Sequence, residues 1–405
     1  MKKIILPLLA LSLLAGCKKD DPVVETTVAA DDKEEETSGE ETSGEETAGD
    51  DTSGDDTAGD DTNTTYDVPT KYEFGGSVSY SGQTDRLDML EALKAEVSKS
   101  HSIGATVDAD VLQRMYANTG TKAVETSSGT KMVYEGFDGT VGESTKNLSG
   151  KTEANAKLAM EDVLDEVAQY AGQMSENQSA GLIARGEKYI LVNDHGQEYA
   201  QLVEKGLMGS CFYYQITAKY LSDEKIGSGV DNETKEEGKN YTDKQHHFDE
   251  AFGYFGVPTD WDKVQGNGDN PDVRFWGKYC AKRNGDYQTN SIFDDFLAGR
   301  AAIDNDVHDN QIQPVENIKS KIEKVAASTA VSYFNSSKTK TDEGDKLHAL
   351  TEGLCFLRAC MYGGPNVSAS DVADIEEALN NGNFFTIENT HIDAAVNLLT
   401  TAAGL

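Results

Sequence analysis

The chain has 405 residues, with 36 basic and 71 acidic side chains and a net charge of −35. Residues 1–62 hold 5 bases and 18 acids, which leaves 31 against 53 for the rest. A body this acidic argues against a nucleic-acid partner and against a basic patch for anionic lipid.

The first element in chain order is a leader over residues 1–16. Met1-Lys2-Lys3 is a short positive start, and the apolar run Ile4 to Leu14 is too short to anchor as a spanning helix. Leu14-Ala15-Gly16-Cys17 resembles a lipobox, the cleavage and acylation signal of bacterial lipoproteins. The small residues let a peptidase approach the backbone, and the Cys17 thiol accepts the lipid. Several acyl chains, at about 0.8 kcal/mol per buried CH₂, give durable attachment to a bilayer. Lys18 stands where an Asp would resemble an inner-membrane retention signal, and Lys19-Asp20-Asp21 resembles the surface-export signal of Bacteroidota lipoproteins. The expected location is therefore the outer membrane, lipid-anchored and facing the cell exterior.

Residues 17–65 read as the lipidated Cys followed by an acidic linker. From Glu36 to Asp60 a five-residue unit repeats, as in Glu36-Thr37-Ser38-Gly39-Glu40 and Asp56-Thr57-Ala58-Gly59-Asp60. No large apolar residue lies between Asp31 and Asp61, so nothing offsets the entropy of ordering the chain. Like charges extend it further. This predicts a disordered spacer. Asp56-Thr57-Ala58 also resembles a short O-glycosylation sequon of the same bacteria.

Residues 66–405 are expected to form a mainly α domain, an antiparallel helix bundle with room for two packed sub-bundles. Tyr66 to Tyr80 reads as extended, with Tyr72, Phe74, Val78 and Tyr80 alternating among Gly and Ser. Leu87, Leu90, Leu93 and Val97 mark one helix, and Leu158, Val163, Val167 and Tyr170 a second. A strand at Tyr189-Ile190-Leu191-Val192 runs into an Asn193-Asp194-His195-Gly196 turn. A long helix then carries Tyr199, Leu202, Val203, Tyr213 and Leu221, with Gly206 and Gly209 as points of close approach. Further helices are predicted at 243–255, 289–303, 311–335, 343–362, 369–380 and 391–403.

Cysteine use is quiet. Cys211, Cys280, Cys355 and Cys360 form no CxxC pair. Cys355 and Cys360 on one helix would stand roughly 8–9 Å apart at Cα, too far for a disulfide. The four read as small buried hydrophobes, and a bridge involving Cys211 or Cys280 is the alternative in an oxidising compartment.

Three segments carry candidate chemistry. In Gln245-His246-His247-Phe248-Asp249-Glu250, His246 and Glu250 are i and i+4 with Asp249 beside them, and His247 and Glu250 form H-x-x-E. Opposite lie Phe248, Ala251, Phe252 and Phe255, so the His and Glu read as a wet polar face. In Leu347 to Met361, His348 and Glu352 repeat the i, i+4 spacing on a helix that is apolar nearly all round and therefore central. In Ile292 to Ile303, Arg300 sits between Phe293 and Phe296 on the apolar face. An arginine cannot shed its charge, so it needs a carboxylate, and Glu352 or Glu250 is the expected partner.

Two readings stay open. In one, His246, Glu250, His348 and Glu352 converge on iron or zinc. In the other, Arg300 neutralises the carboxylates and the histidines complete a structural network. The acidic stretches Asp260 to Asp272 and Asp304 to Asp309 read as solvated turns, since neither matches a twelve-residue calcium loop. The sequence has no G-x-S-x-G, Walker loop or H-E-x-x-H.

These segments also carry a resemblance. Ser79-Tyr80-Ser81-Gly82-Gln83-Thr84, Gly196-Gln197-Glu198-Tyr199, Lys205-Gly206-Leu207-Met208-Gly209, His246 with Asp249-Glu250-Ala251, Gly299-Arg300-Ala301-Ala302-Ile303 and His348 with Glu352 resemble an uncharacterised Bacteroidota lipoprotein family, domain of unknown function 4856. The family pattern has Glu before the first His and Trp after it, where this chain has Gln245 and Phe248. His247, Glu250 and Phe255-Gly256 are also similar to imelysins, helical envelope proteins associated with iron uptake. The family has no established activity, and the expected function is non-enzymatic binding of a metal, haem or other ligand in iron acquisition, with an outer-membrane receptor or imelysin-type proteins as partners besides the bilayer. A metal-dependent hydrolase on the same residues and a structural or interaction module are the competing expectations.

Overall fold

Helices dominate because most apolar residues recur at three- and four-residue spacing, and each helix buries that stripe against the next. The computed structural model describes residues 66–263 and 270–405. The leader, Cys17, the export signal, the glycosylation sequon and the acidic repeat lie outside the described residues, as does part of the Asp260 to Asp272 stretch.

Tyr66 to Tyr80 joins no sheet, and a turn at Gly75-Gly76, φ +60° and +77°, breaks the expected extended run. It is pinned by burial of Tyr72, Phe74 and Ser77 and by the Tyr72 amide donating to the Thr259 carbonyl at 2.7 Å. Helix α1 (Ser81–Ser98) buries the expected Leu87, Leu90, Leu93 and Val97. Helix α2 (Ala109–Ala117) starts at Asp108, whose side chain accepts from the Asp110 amide, and stops at Asn118 in the left-handed region. A hairpin of β1 (Lys122–Thr126) and β2 (Gly129–Val133) follows. Helix α3 (Ala154–Tyr170) corrects the second predicted stripe. Its seam is Met160, Leu164 and Val167, at i, i+4 and i+7, while Leu158 is 62 % exposed. Glu153 fixes that phase by capping the amides of Asn155 and Ala156.

The predicted strand at 189–192 belongs to a second hairpin, β3 (Gly181–Arg185) with β4 (Lys188–Val192). Helix α4 (Tyr199–Leu207) then widens into two π-helical stretches, Met208–Tyr213 and Gln215–Tyr220. Such stretches are rare and leave carbonyls open to other donors. The Trp276 indole uses one, donating to the Met208 carbonyl at 2.8 Å. Gly209 lies here against helix α10 (Glu343–Ala359), where a Cβ would stand 2.9 Å from that of Ala359. Any larger residue would push the two helices apart.

After the short α5 (Asp223–Ile226), helix α6 (Asp243–Phe255) opens with a capping box between Thr242 and Gln245 and closes at Gly256, φ +79°. Helices α7 (Phe275–Tyr287), α8 (Ile292–Asp304), α9 (His308–Ser337), α10 (Glu343–Ala359), α11 (Ala369–Ala378) and α12 (Asn389–Ala403) complete the fold. Helix α9 buries the predicted Val315, Ile318, Ile322 and Val325. Helix α10 is buried nearly all round, packed on α9 and α4, as its sequence implies. Residues 63–405 form one compact unit. All four described cysteines are free and buried, and burial pushes the thiols of Cys211, Cys280 and Cys355 up to about 12. Among the described residues no helix is long and apolar enough to cross a membrane.

Candidate functional site

The polar residues singled out in the sequence fall into separate groups. The first surrounds Arg300 on α8. Its side chain is fully buried and donates from Nε to Asp249 of α6 at 2.9 Å and from Nη2 to the Ser77 hydroxyl at 2.8 Å. Asp304, one turn further along α8, takes the Nη1 end. The guanidinium lies 4.9 Å from the Phe74 ring centroid. Asp249 also accepts from the Tyr72 hydroxyl at 2.9 Å and from the Ser79 amide at 3.1 Å. Burial pushes the Asp249 carboxyl up to about 6 against the opposing pull of Arg300, Tyr72 and Ser79. The expected need for carboxylates is met, but not by Glu352 or Glu250. Asp304 wins because it sits at i+4 on the same helix, and it is an ion-pair partner rather than part of a solvated turn.

The second group lies on the adjoining face of α6, with Ser79 bonded to both Asp249 and His246. Glu250 is 6 % exposed and accepts from Gln83 at 2.7 Å and Tyr220 at 3.1 Å. His246 donates from Nδ1 to the Ser79 carbonyl at 3.1 Å and stacks on Tyr241, with ring centroids 4.6 Å apart. His247 donates from Nδ1 to the Lys225 carbonyl at 3.0 Å, and burial holds its pKa below the ordinary histidine value. The expected wet face is therefore covered, because the Tyr66 to Tyr80 segment, α1 and the π-helical stretch pack over it. Gln245, where the family pattern has Glu, closes the capping box and donates to Asp304 at 2.7 Å.

The third group is on α10. His348 lies between two carboxylates, with Nδ1 2.6 Å from Glu198 and Nε2 3.2 Å from Glu352. Burial alone would lower its pKa, but the two carboxylate hydrogen bonds outweigh it and raise the value to about 9. Burial would raise the Glu352 pKa, but His348 and Lys205 hold it below the usual carboxylate range. Each ring nitrogen faces a carboxylate oxygen, so the two glutamates together favour the protonated ring.

The four residues expected to converge therefore do not. His246 and Glu250 serve one environment, His348 and Glu352 another, and Arg300 with Asp249 a third. Among the described residues no group of three or more His, Cys, Asp or Glu side chains is placed to hold a metal ion. The residue that sequence reasoning missed in the α10 group is Glu198, which packs 2.6 Å from His348 from 150 residues away. Its signal was its place in the Gly196-Gln197-Glu198-Tyr199 motif.

Two concavities lie beside these groups. A groove of about 690 Å³ is lined by Tyr72, Phe74, Tyr80 and Thr259, above the Arg300 network. A cleft of about 470 Å³ between α1, α4 and α7 is lined by Glu204, Lys205, Tyr279 and Lys282 among others. Lys205 and Tyr279 both act electrostatically on Glu352 or feel it, so this cleft adjoins the α10 group.

A family profile described as a domain of unknown function, DUF4856, matches residues 69–391. No curated protein matches the chain, and no solved structure does. The local similarity to imelysins at His247, Glu250 and Phe255-Gly256 finds no support in these comparisons.

Proposed function

The chain belongs to the family of domain of unknown function 4856, and from that premise we propose that it is a lipid-anchored outer-membrane protein whose helical domain binds a ligand without turning it over. The anchor reading rests on the Leu14-Ala15-Gly16-Cys17 signal and the acidic tether behind it. The binding reading rests on one observation: an open cleft lined mainly by charged and polar side chains lies between α1, α4 and α7, and its Lys205 acts on Glu352 of the α10 group. The role proposed is nutrient acquisition, iron included, with the domain held away from the membrane and facing the exterior. The ligand, metal-containing or not, is then held in the cleft rather than ligated by His246, Glu250, His348 and Glu352 together.

The anchor is tested by Cys17→Ser, which releases the protein from the membrane fraction. Replacing Lys19, Asp20 and Asp21 by Ala leaves it lipidated but shielded from external protease. Equal cleavage of that variant and the wild type contradicts surface export. Elemental analysis of protein purified without chelator tests the iron reading. Stoichiometric iron or zinc lost on His246→Ala with His348→Ala would restore a metal centre built on those residues, and with it the hydrolase alternative.

A further inference from the structure

The cleft between α1, α4 and α7 runs against the charge of the whole chain. In a protein of net charge −35, its lining holds Lys94, Lys205, Arg274, Lys278 and Lys282 against only Glu91 and Glu204. The acids are already engaged. Glu204 is shared by Lys94 at 2.7 Å and Lys205 at 3.1 Å. Arg274 is held by Asp88 at 2.7 Å and Glu91 at 3.1 Å. Lys278 and Lys282 are exposed and make no ion pair within 4 Å among the described residues, and they stand at i and i+4 on α7, where like charges repel. Lys282 sits 4.7 Å and Lys205 5.3 Å from the Tyr279 ring centroid, so a buried aromatic ring gathers two cations at one end of the cleft. Tyr279 itself is fixed by its hydroxyl contact with Tyr333 at 3.5 Å. The N-terminal turn of α7 also faces this space, with no side chain capping it.

The geometry points to a binding site for a small molecule bearing at least two carboxylate or phosphate groups, held by Lys278 and Lys282 with Lys205 behind them. This deepens the ligand-binding reading above and rests on it. Two exposed cations one helical turn apart repel each other, and an anion bound between them relieves that repulsion. Lys282 shows the crowding: burial first, then Lys205, Lys278 and Arg283, hold its pKa below the ordinary lysine value against the opposing pull of Glu352. The volume of about 470 Å³ suits a small ligand rather than a polymer.

The test uses the full chain in mild detergent, titrated by calorimetry with citrate and, separately, with inorganic pyrophosphate. The expected result is one-to-one binding of at least one of them, weakening as ionic strength rises, and the anion that binds identifies the oxyanion. Lys278→Gln with Lys282→Gln is expected to weaken that binding at least about tenfold, since two charge-assisted contacts are lost. Lys188→Gln with Lys340→Gln, which removes two exposed charges elsewhere, leaves it unchanged. Absence of binding by both anions overturns the proposal, as does binding that survives the α7 double variant. Membrane release of Cys17→Ser reports on the anchor independently, so failure of the cleft and failure of the lipoprotein reading are distinguishable.

Discussion

Two polar regions of this domain solve the problem of charge in opposite ways. Around Arg300 the guanidinium and Asp249 are fully buried and each guanidinium nitrogen has an acceptor, so the group welds α6, α8 and the Tyr66 to Tyr80 segment together. In the α7 cleft the cations outnumber the acids and two lysines stand unpaired among the described residues. A closed network contributes stability and fixes one arrangement of the core, whereas an open one leaves its cations to solvent, where an anionic ligand can meet them. The lesson is that a buried charge is weak evidence of function when its partners are complete, and that a surplus of one sign in a concave site is better evidence.

That comparison can be broken in several ways. The largest effect is expected at Arg300. Arg300→Ala strands Asp249 in the core and should destabilise by about 3–5 kcal/mol in urea unfolding. A loss below about 1 kcal/mol would mean that the network is not sealed.

The next effect depends on pH. Because the folded pKa of His348, about 9, lies above its ordinary value of 6.5, the contribution is complete below pH 6.5 and is lost as pH rises through 9. His348→Gln should therefore cost at most about 3 kcal/mol near pH 6 and much less near pH 10. A cost that does not change with pH would show that the ring is neutral in the folded protein.

Smaller still is Tyr72→Phe, which removes one hydrogen bond to Asp249 and keeps the ring stacked 3.7 Å from Phe252. The expected loss is about 1 kcal/mol. At the other extreme, Lys278→Gln with Lys282→Gln should change stability by less than about 0.5 kcal/mol or raise it slightly, since it removes an i, i+4 repulsion. A marked destabilisation there would make the cleft structural too.

The sequence made some of this legible and hid the rest for physical reasons. The bounds of α6 are readable because Thr242 and Gln245 cap one end and Gly256 the other. The central place of α10 follows from its all-round apolar surface. The burial of Arg300 and its need for carboxylates follow from its position between Phe293 and Phe296. Its partners do not, because the choice between Glu352, Glu250, Asp249 and Asp304 is made by tertiary packing, not spacing. Helix α7 escaped because Phe275 to Tyr287 mixes lysines with Gly277 and Gly285 and shows little periodicity. The β1–β2 hairpin escaped because most of its positions are exposed and no apolar alternation survives. The π-helical stretch after α4 leaves the apolar pattern of a helix intact, so no sequence signal separates it from an α-helix.

The most direct measurement is a pair of double-mutant cycles in urea unfolding, Arg300→Met with Asp249→Asn and Arg300→Met with Glu352→Gln. The account predicts strong coupling in the first, with the double variant losing at least about 1 kcal/mol less than the sum of the singles, and additivity within about 0.5 kcal/mol in the second. Additivity in the first cycle, or coupling of similar size in the second, would contradict the separation of the sealed network from the α10 group and its cleft.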